Sequence, residues 1–272
     1  MSFYITLPSN VVDKSFPNNT IANYTTILNQ RISLKDKWEI GLSEISYTKS
    51  WYNVLNTHKI LLYDEIGNYE NTNDLLVFSG FYESEDKLVN EINSKFSTLK
   101  NIKPPKLFYN KLNNKINIEA GFKEKIKIYP SFGNEIDNIL GLKNRNMNKE
   151  YYQSSDTNEI EIYNGKEMFI NKTFEAFHSV EITAGYHSLF VYCNIVCPSH
   201  IGDTCAPLLR VVEVSNKSQF GEQCVIKYEN PQYRSILLNE FSNIEISILD
   251  DSGNLIPFKF GRSIVTLHFK KL

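Results

Sequence analysis

The chain contains the stretch Val265-Thr266-Leu267-His268-Phe269-Lys270, in which apolar and polar residues alternate without a break. A period of two places the apolar side chains on one face of an extended strand and the polar ones on the other. The stretch therefore predicts a strand of an antiparallel sheet with one face on a hydrophobic core. The pattern recurs upstream, in the apolar series Ile244, Ile246 and Ile248.

The segment between these two stretches is rich in residues that favour a tight turn. It reads Asp250-Asp251-Ser252-Gly253-Asn254, and Asp, Asn and Gly tolerate the left-handed backbone that a reversal requires. This order predicts that the two strands form a hairpin or a close strand pair.

An irregular strand is expected nearer the start of the chain. Trp38, Ile40 and Leu42 share one phase, whereas Ile45 and Tyr47 fall on the other. A slip of one residue at Ser43-Glu44 accounts for the change, so a β-bulge is predicted there.

The rest of the chain reads mostly as further strands. Period-two or β-branched runs predict them at residues 3–7, 21–28, 59–63, 106–109, 115–119, 125–129, 159–163, 189–196, 208–214 and 224–228. Only two segments favour helix. One starts after the N-cap Ser84 and places Leu88, Ile92, Phe96 and Leu99 on one face, and the other covers residues 134–140 before Gly141. Many strands with two helices predict an all-β sandwich or barrel.

The 272 residues show neither an internal repeat nor a Pro, Gly and Ser-rich linker, so a single domain over residues 1–272 is expected. Residues 101–157 are rich in Lys and Asn, and their apolar content looks too thin for a separate core. We therefore predict an insertion of loops and helix around residues 83–180.

The charge balance disfavours direct binding to nucleic acid. Lys and Arg total 29 against 31 for Asp and Glu, and only five residues are Arg. Lys123, Lys125 and Lys127 alternate, so they would share one face of a strand. That face is either exposed to solvent or makes a weak contact with the phosphates of a nucleic acid. No run of apolar residues is long enough to predict a membrane span, and the first residues lack a secretory signal pattern, so synthesis inside the cell is expected.

Motifs of known enzyme chemistry are missing from the sequence. Neither a Gly-x-Ser-x-Gly nucleophile elbow nor a glycine-rich phosphate loop occurs. The acidic pairs Asp250/Asp251 and Glu159/Glu161 suit a turn cap and a solvent face better than acid–base catalysis. The histidines are scattered along the sequence. Because none of these motifs points to catalysis, neither an enzyme activity nor a cofactor is predicted.

Four cysteines, Cys193, Cys197, Cys205 and Cys224, fall within 32 positions. Their spacing does not suit a zinc site, and disulfides would need an oxidising compartment. Free buried thiols are the preferred interpretation, with Cys193 as a small core residue of a strand.

Several motifs stand out when they are considered together. They include Met1-Ser2-Phe3-Tyr4-Ile5-Thr6-Leu7-Pro8, Trp38-Glu39-Ile40-Gly41-Leu42, Ser50-Trp51-Tyr52-Asn53-Val54, Pro207-Leu208-Leu209-Arg210, Asn230-Pro231-Gln232-Tyr233 and Asp250-Asp251-Ser252-Gly253-Asn254-Leu255-Ile256-Pro257-Phe258. Together these motifs resemble the minor capsid (penton) proteins of Polinton/Maverick elements and related virophages. The resemblance covers roughly residues 1–65 and 187–270, whereas residues 100–180 depart most from the pattern.

This resemblance implies a single jelly-roll β-sandwich that forms a homopentamer at the fivefold vertices of an icosahedral virion, beside a double jelly-roll major capsid protein. It carries no catalytic residue. A subunit of such a ring needs two different complementary surfaces. Apolar and aromatic residues outside the core are the candidates: Phe3, Tyr4, Ile5, Leu7, Trp51 and Tyr52, with the loop around residues 198–207.

Two alternatives stay open from the sequence. Each of these candidates, the N-terminal segment above all, could instead be buried in the subunit's own core, in which case removing residues 1–10 would abolish folding rather than assembly alone. The whole chain could also be a receptor- or carbohydrate-binding jelly-roll module of a virion.

Overall fold

A computed structural model describes residues 1–10, 16–64, 69–70, 75–142, 160–163, 166–169, 173–183, 185–215 and 218–272. The chain divides into two compact units. The first comprises Met1–Trp51 and Tyr186–Leu272, and the second comprises Tyr52–Gly185. The second unit is thus inserted between two parts of the first.

The elements are numbered in chain order. The first part of the first unit contains β1 (Ser2–Pro8), β2 (Asn23–Ser33) and β3 (Trp38–Thr48). The second unit contains β4 (His58–Lys59), β5 (Leu61–Asp64), β6 (Tyr69–Glu70), β7 (Leu76–Val77), α1 (Glu85–Phe96), β8 (Lys106–Asn110), β9 (Lys115–Glu119), β10 (Gly121–Lys123), β11 (Ile126–Ser131), α2 (Asn134–Ile139), β12 (Ile160–Tyr163), β13 (Lys166–Phe169) and β14 (Thr173–Glu175). The remainder of the first unit contains β15 (Ser188–Cys193), β16 (Ser199–Ile201), β17 (Thr204–Ala206), β18 (Leu208–Glu213), β19 (Gln223–Lys227), β20 (Tyr233–Ser235), β21 (Glu240–Leu249) and β22 (Ser263–Lys271).

The first unit is a jelly-roll sandwich of two antiparallel sheets. The first sheet has the order β1-β22-β3-β19, with β20 also paired to β3, and the second sheet has the order β18-β15-β21-β2. The chain passes repeatedly from one sheet to the other, as a jelly roll requires. The predicted fold class, an all-β jelly roll with an insertion, is confirmed.

The core of this sandwich consists of the apolar residues of the alternating strands. Val265, Leu267 and Phe269 of β22 and Ile244, Ile246 and Ile248 of β21 are each fully buried. Burial of such side chains stabilises a fold by about 1.5–3 kcal/mol each. The period-two pattern of the sequence therefore marks the inward positions of both sheets.

The predicted bulge in β3 is confirmed. Glu44 pairs with Thr266 while Leu42 pairs with Leu267, which leaves Ser43 without an opposite residue on β22. The extra residue restores the inward direction of Ile45 and Tyr47, both fully buried.

The predicted hairpin of the last two strands is wrong. The turn itself forms, with Asp250 Oδ1 accepting hydrogen bonds from the backbone N–H groups of Ser252 and Asn254. However, β21 belongs to the second sheet and β22 to the first. Alternation shows that a strand has one buried face, but it does not show to which sheet that strand belongs.

The inserted unit begins at Tyr52, earlier than the boundary near residue 83 that the sequence suggested. It also has its own hydrophobic core, contrary to the expectation from composition. Leu107, Ile116, Ile118 and Ile128 are buried in that core, within the Lys and Asn-rich region. Each strand there supplies one apolar face, so an average over the whole segment underestimates the buried surface.

The two predicted helices are confirmed inside this unit, but α1 ends at Phe96, so Leu99 lies beyond the helix on which it was predicted. Ser84 caps α1, and its hydroxyl accepts a hydrogen bond from the backbone N–H of Lys87. Leu88, Ile92 and Phe96 are the buried stripe of α1. Neither helix found in the described ranges is long and apolar enough to cross a membrane.

Candidate interaction surface

The first sheet carries a row of aromatic side chains on its outward face. Tyr4 of β1 pairs with His268 of β22, His268 pairs with Gly41 of β3, and Gly41 pairs with Tyr233 of β20. These four residues alternate with the buried inward residues of their strands, so they share the face that points away from the sandwich core. We call them the aromatic row.

The members of the aromatic row are in direct contact. The Tyr4 ring stacks on the His268 imidazole, with centroids 4.4 Å apart and planes 13° from parallel. The Tyr233 hydroxyl lies 2.7 Å from His268 Nδ1. Gly41 permits this contact, because a Cβ there would lie 2.9 Å from Cβ of Pro231 and 3.3 Å from Cδ1 of Tyr233.

The environment of the row favours uncharged side chains. Burial lowers the pKa of His268, and the nearby positive charge of Lys270 lowers that pKa further. Burial also raises the pKa of Tyr233, with smaller contributions from Tyr4 and Glu39. At neutral pH the imidazole and the phenol are therefore both neutral, and the centre of this outward face carries little charge.

Two further rows cross the same outward face. One consists of Thr6, Thr266, Glu44 and Lys227, and the other of Pro8, Ile264, Ser46 and Val225. In the first of these rows Lys227 Nζ lies 3.6 Å from Glu44 Oε2. The lysine and glutamate charges cancel there, so polar hydroxyls and apolar groups prevail.

The second sheet has an outward face of a different kind. Val211 of β18 pairs with Phe190 of β15, which pairs with Leu249 of β21, and this forms an apolar row across three strands. Glu213 and Glu245 lie at outward positions of the same sheet. The two outward faces of the sandwich are therefore chemically distinct.

The sequence indicated few of these residues as surface candidates. His268 and Tyr233 are far apart in the chain, and only the sheet register brings them together. One signal was available for the second face. Val211 and Val212 are consecutive apolar residues in an alternating strand, so one of the two has to point outward.

The structure separates the predicted N-terminal interface residues into two groups. Phe3 and Ile5 are half-buried, and Phe3 stacks on the core residue Phe269 with ring centroids 4.7 Å apart. Leu7 is 1% exposed, whereas Tyr4 is 61% exposed. Leu7 is therefore a core residue, and Tyr4 is the member of this segment whose side chain another molecule can reach.

Trp51 also belongs to the core of the first unit. It is 2% exposed and packs against Tyr47, Tyr186 and Phe258, with ring centroids between 5.5 and 6.0 Å away. Tyr52, its neighbour in sequence, is half-buried and belongs to the second unit. Trp51 therefore cannot be a contact residue for a second molecule unless the core opens.

The loop around residues 198–207 forms a small hairpin of β16 and β17. His200 pairs with Cys205 there, and both are exposed. The hairpin stays a candidate contact region, because these positions are exposed.

The cysteines are all free thiols. Cys193 is buried, as predicted for a core residue, and burial raises its pKa to about 12. Cys197 and Cys224 are half-buried, but Cys205 is exposed, which differs from the expectation of buried thiols. The part of the chain that the structure describes contains no cluster of three His, Cys, Asp or Glu residues that could hold a metal ion.

The predicted lysine face is divided between two strands. Lys123 ends β10, Lys127 belongs to β11, and Glu124 lies between them in a turn with a φ of 56°. A hairpin turn thus replaces the single strand that the alternation suggested. Among the acidic pairs, Asp250 caps its turn as described above, whereas Glu159 and the side chain of Glu161 lie outside the described residues.

Comparison with known proteins identifies a similarity of fold but none of sequence. No protein-family model matches the chain, and no curated protein matches its sequence. Among solved structures, similarity of fold extends over the full length of the chain.

The structure is similar to that of the mavirus penton protein, with a TM-score of 0.52, 11% sequence identity and coverage of 100% of this chain and 99% of that chain. A chain from the Sputnik virophage also matches, with a TM-score of 0.47, 13% identity and coverage of 99% and 98%. The resemblance to virophage penton proteins is confirmed at the level of the fold. The matched length includes the inserted unit.

Proposed function

We propose that this chain is a structural capsid protein, not an enzyme, and that it forms homopentamers at the fivefold vertices of an icosahedral virion. The observation that carries the proposal is the full-length similarity of fold to the mavirus penton protein. The sequence motifs of β1, β3 and the 250–258 turn point to the same class independently.

The proposal fits the physical requirements on a ring subunit. Five copies related by a cyclic axis each bury two different surfaces, one for each neighbour. The formal net charge of −2 in 272 residues allows copies to lie side by side without strong mutual repulsion. In the virion the partner beside the ring is a double jelly-roll major capsid protein.

Native mass spectrometry of the purified protein tests the proposal. Five copies of 31.5 kDa give a complex of about 158 kDa. A monomer or trimer that binds glycans would contradict it and support the alternative, a receptor- or carbohydrate-binding module.

A further inference from the structure

We infer that, in the ring, the outward face of the first sheet of one copy packs on the outward face of the second sheet of the next copy. The inference rests on the proposed pentamer and names the surfaces that build it. The occupant of each face is therefore a second copy of this chain.

Both outward faces have the composition of interface centres. Tyr4 and Val225 on the first sheet are 61% and 52% exposed, and Val211 and Ile27 on the second sheet are 43% and 44% exposed. The centres of protein interfaces are depleted in charged residues and enriched in aromatic and apolar ones. The aromatic row and the row through Val211, Phe190 and Leu249 match this composition.

The charges select contact between unlike faces. On the second sheet, apart from the Arg31–Glu240 ion pair near one end, the charged outward residues are Glu213 and Glu245. Two copies joined through this face would place these carboxylates against each other. On the first sheet Lys227 lies by Glu44, and Lys270 pairs in register with Glu39, so that face has no net charge and does not repel the carboxylates of the second face.

The geometry of a sandwich suits a closed ring. Its two sheets point their outward faces in opposite directions, so one subunit presents a different surface to each side. Contacts between unlike surfaces are head-to-tail, and they form a ring when the rotation between neighbours closes. Contacts between like faces would stop at a dimer.

Two single substitutions test the inference. Val225→Arg blocks the first face and Val211→Arg blocks the second, because each places a charge at an exposed valine of an edge strand. We expect each variant to be monomeric by native mass spectrometry while its circular dichroism spectrum stays that of the wild type. Leu112→Arg is the matched control, since Leu112 is 98% exposed in the second unit, and it should still form pentamers.

Mixing the two variants gives the decisive readout. Each retains one intact face, and the two intact faces are complementary, so an equimolar mixture should form a dimer of about 63 kDa, twice 31.5 kDa, and nothing larger. Pentamers from either variant alone, or a mixture that stays monomeric at concentrations where the wild type assembles, would overturn the inference. If the wild-type protein itself forms no pentamer, the proposed function fails, and the inference fails with it.

Discussion

At the scale of single residues, Glu135 of α2 holds the start of the inserted unit in place. Its carboxylate accepts hydrogen bonds from the backbone N–H of Leu55 and the side-chain amide of Asn56, and its Oε2 lies 2.7 Å from Nε2 of His58. Burial alone would raise the pKa of Glu135, but these donors outweigh it and lower the pKa below its ordinary value of 4.5. One carboxylate thus holds Leu55, Asn56 and the first residue of β4.

The pH dependence of this contact has a definite sign. Since the folded-state pKa is depressed, the ionised carboxylate stabilises the fold above pH 4.5, and this stability is lost as the pH falls through the folded-state pKa. We expect Glu135→Gln to lower the free energy of unfolding at pH 7 by about 1 kcal/mol, a modest value because the site is partly solvated.

Urea denaturation followed by circular dichroism checks this expectation at pH 7 and at acidic pH. The difference between wild type and Glu135→Gln should shrink as the pH falls below the folded-state pKa. Glu83→Gln, a change of an exposed glutamate in the same unit, is the control and should have little effect. An equal loss at both pH values would show that the carboxylate charge is not responsible.

At the scale of elements, β20 depends on a glycine in the neighbouring strand. Gly41 lies opposite Tyr233, and a Cβ there would meet Pro231 at 2.9 Å and the backbone oxygen of Gln232 at 3.1 Å. Gly41→Ala should therefore push β20 away from β3 and lower the free energy of unfolding by roughly 1–3 kcal/mol.

Gly80→Ala is the matched control for this substitution, because nothing lies within 4 Å of a Cβ built at Gly80. Denaturation by urea should show little change or a small gain for Gly80→Ala and a clear loss for Gly41→Ala. Equal stabilities would mean that the segment over Gly41 moves aside without cost.

The N-terminal strand is a structural element of the sandwich. All seven residues of β1 pair with β22, from Ser2 opposite Lys270 to Pro8 opposite Ile264. Leu7 is buried, and its carbonyl accepts a hydrogen bond from the Tyr24 hydroxyl at 3.0 Å. Of the two interpretations that the sequence left open, the structure favours core burial for Leu7 and partial burial for Phe3 and Ile5, whereas Tyr4 is exposed.

Deletion of residues 1–8 should therefore unfold the first unit rather than yield a folded monomer. The deletion would expose the edge of β22 and remove Leu7 from the core. Near-ultraviolet circular dichroism should show the loss of fixed aromatic packing. A folded monomer that has lost only the ability to assemble would contradict this expectation. It would show that the segment serves contact between subunits and not folding.

The elements themselves were largely predictable, since most depend on local sequence. Alternation indicated the strands, Ser84 and Gly141 bounded the helices, and the phase change at Ser43 predicted the bulge. What local pattern could not supply was pairing between distant residues. The sheet membership of β21 and β22, the start of the inserted unit at Tyr52 and the contact of Tyr233 with His268 all depend on register between segments far apart in the chain.

At the scale of the whole molecule, the proposed pentamer depends on the two surfaces of a jelly-roll unit. The first unit has a buried core and two unlike outward faces, and the second unit has a core of its own. The sequence predicted the class of protein through its motifs, but it placed Leu7 and Trp51 among the contact residues. Alternation alone does not distinguish a face that covers its own core from one that covers a neighbour.

Negative-stain electron microscopy of the purified 272-residue chain tests the proposed pentamer. We expect class averages with a closed ring of five equal subunits, in agreement with a particle of about 158 kDa. Single subunits, or rings with another number of subunits, at concentrations where the protein is folded would contradict it.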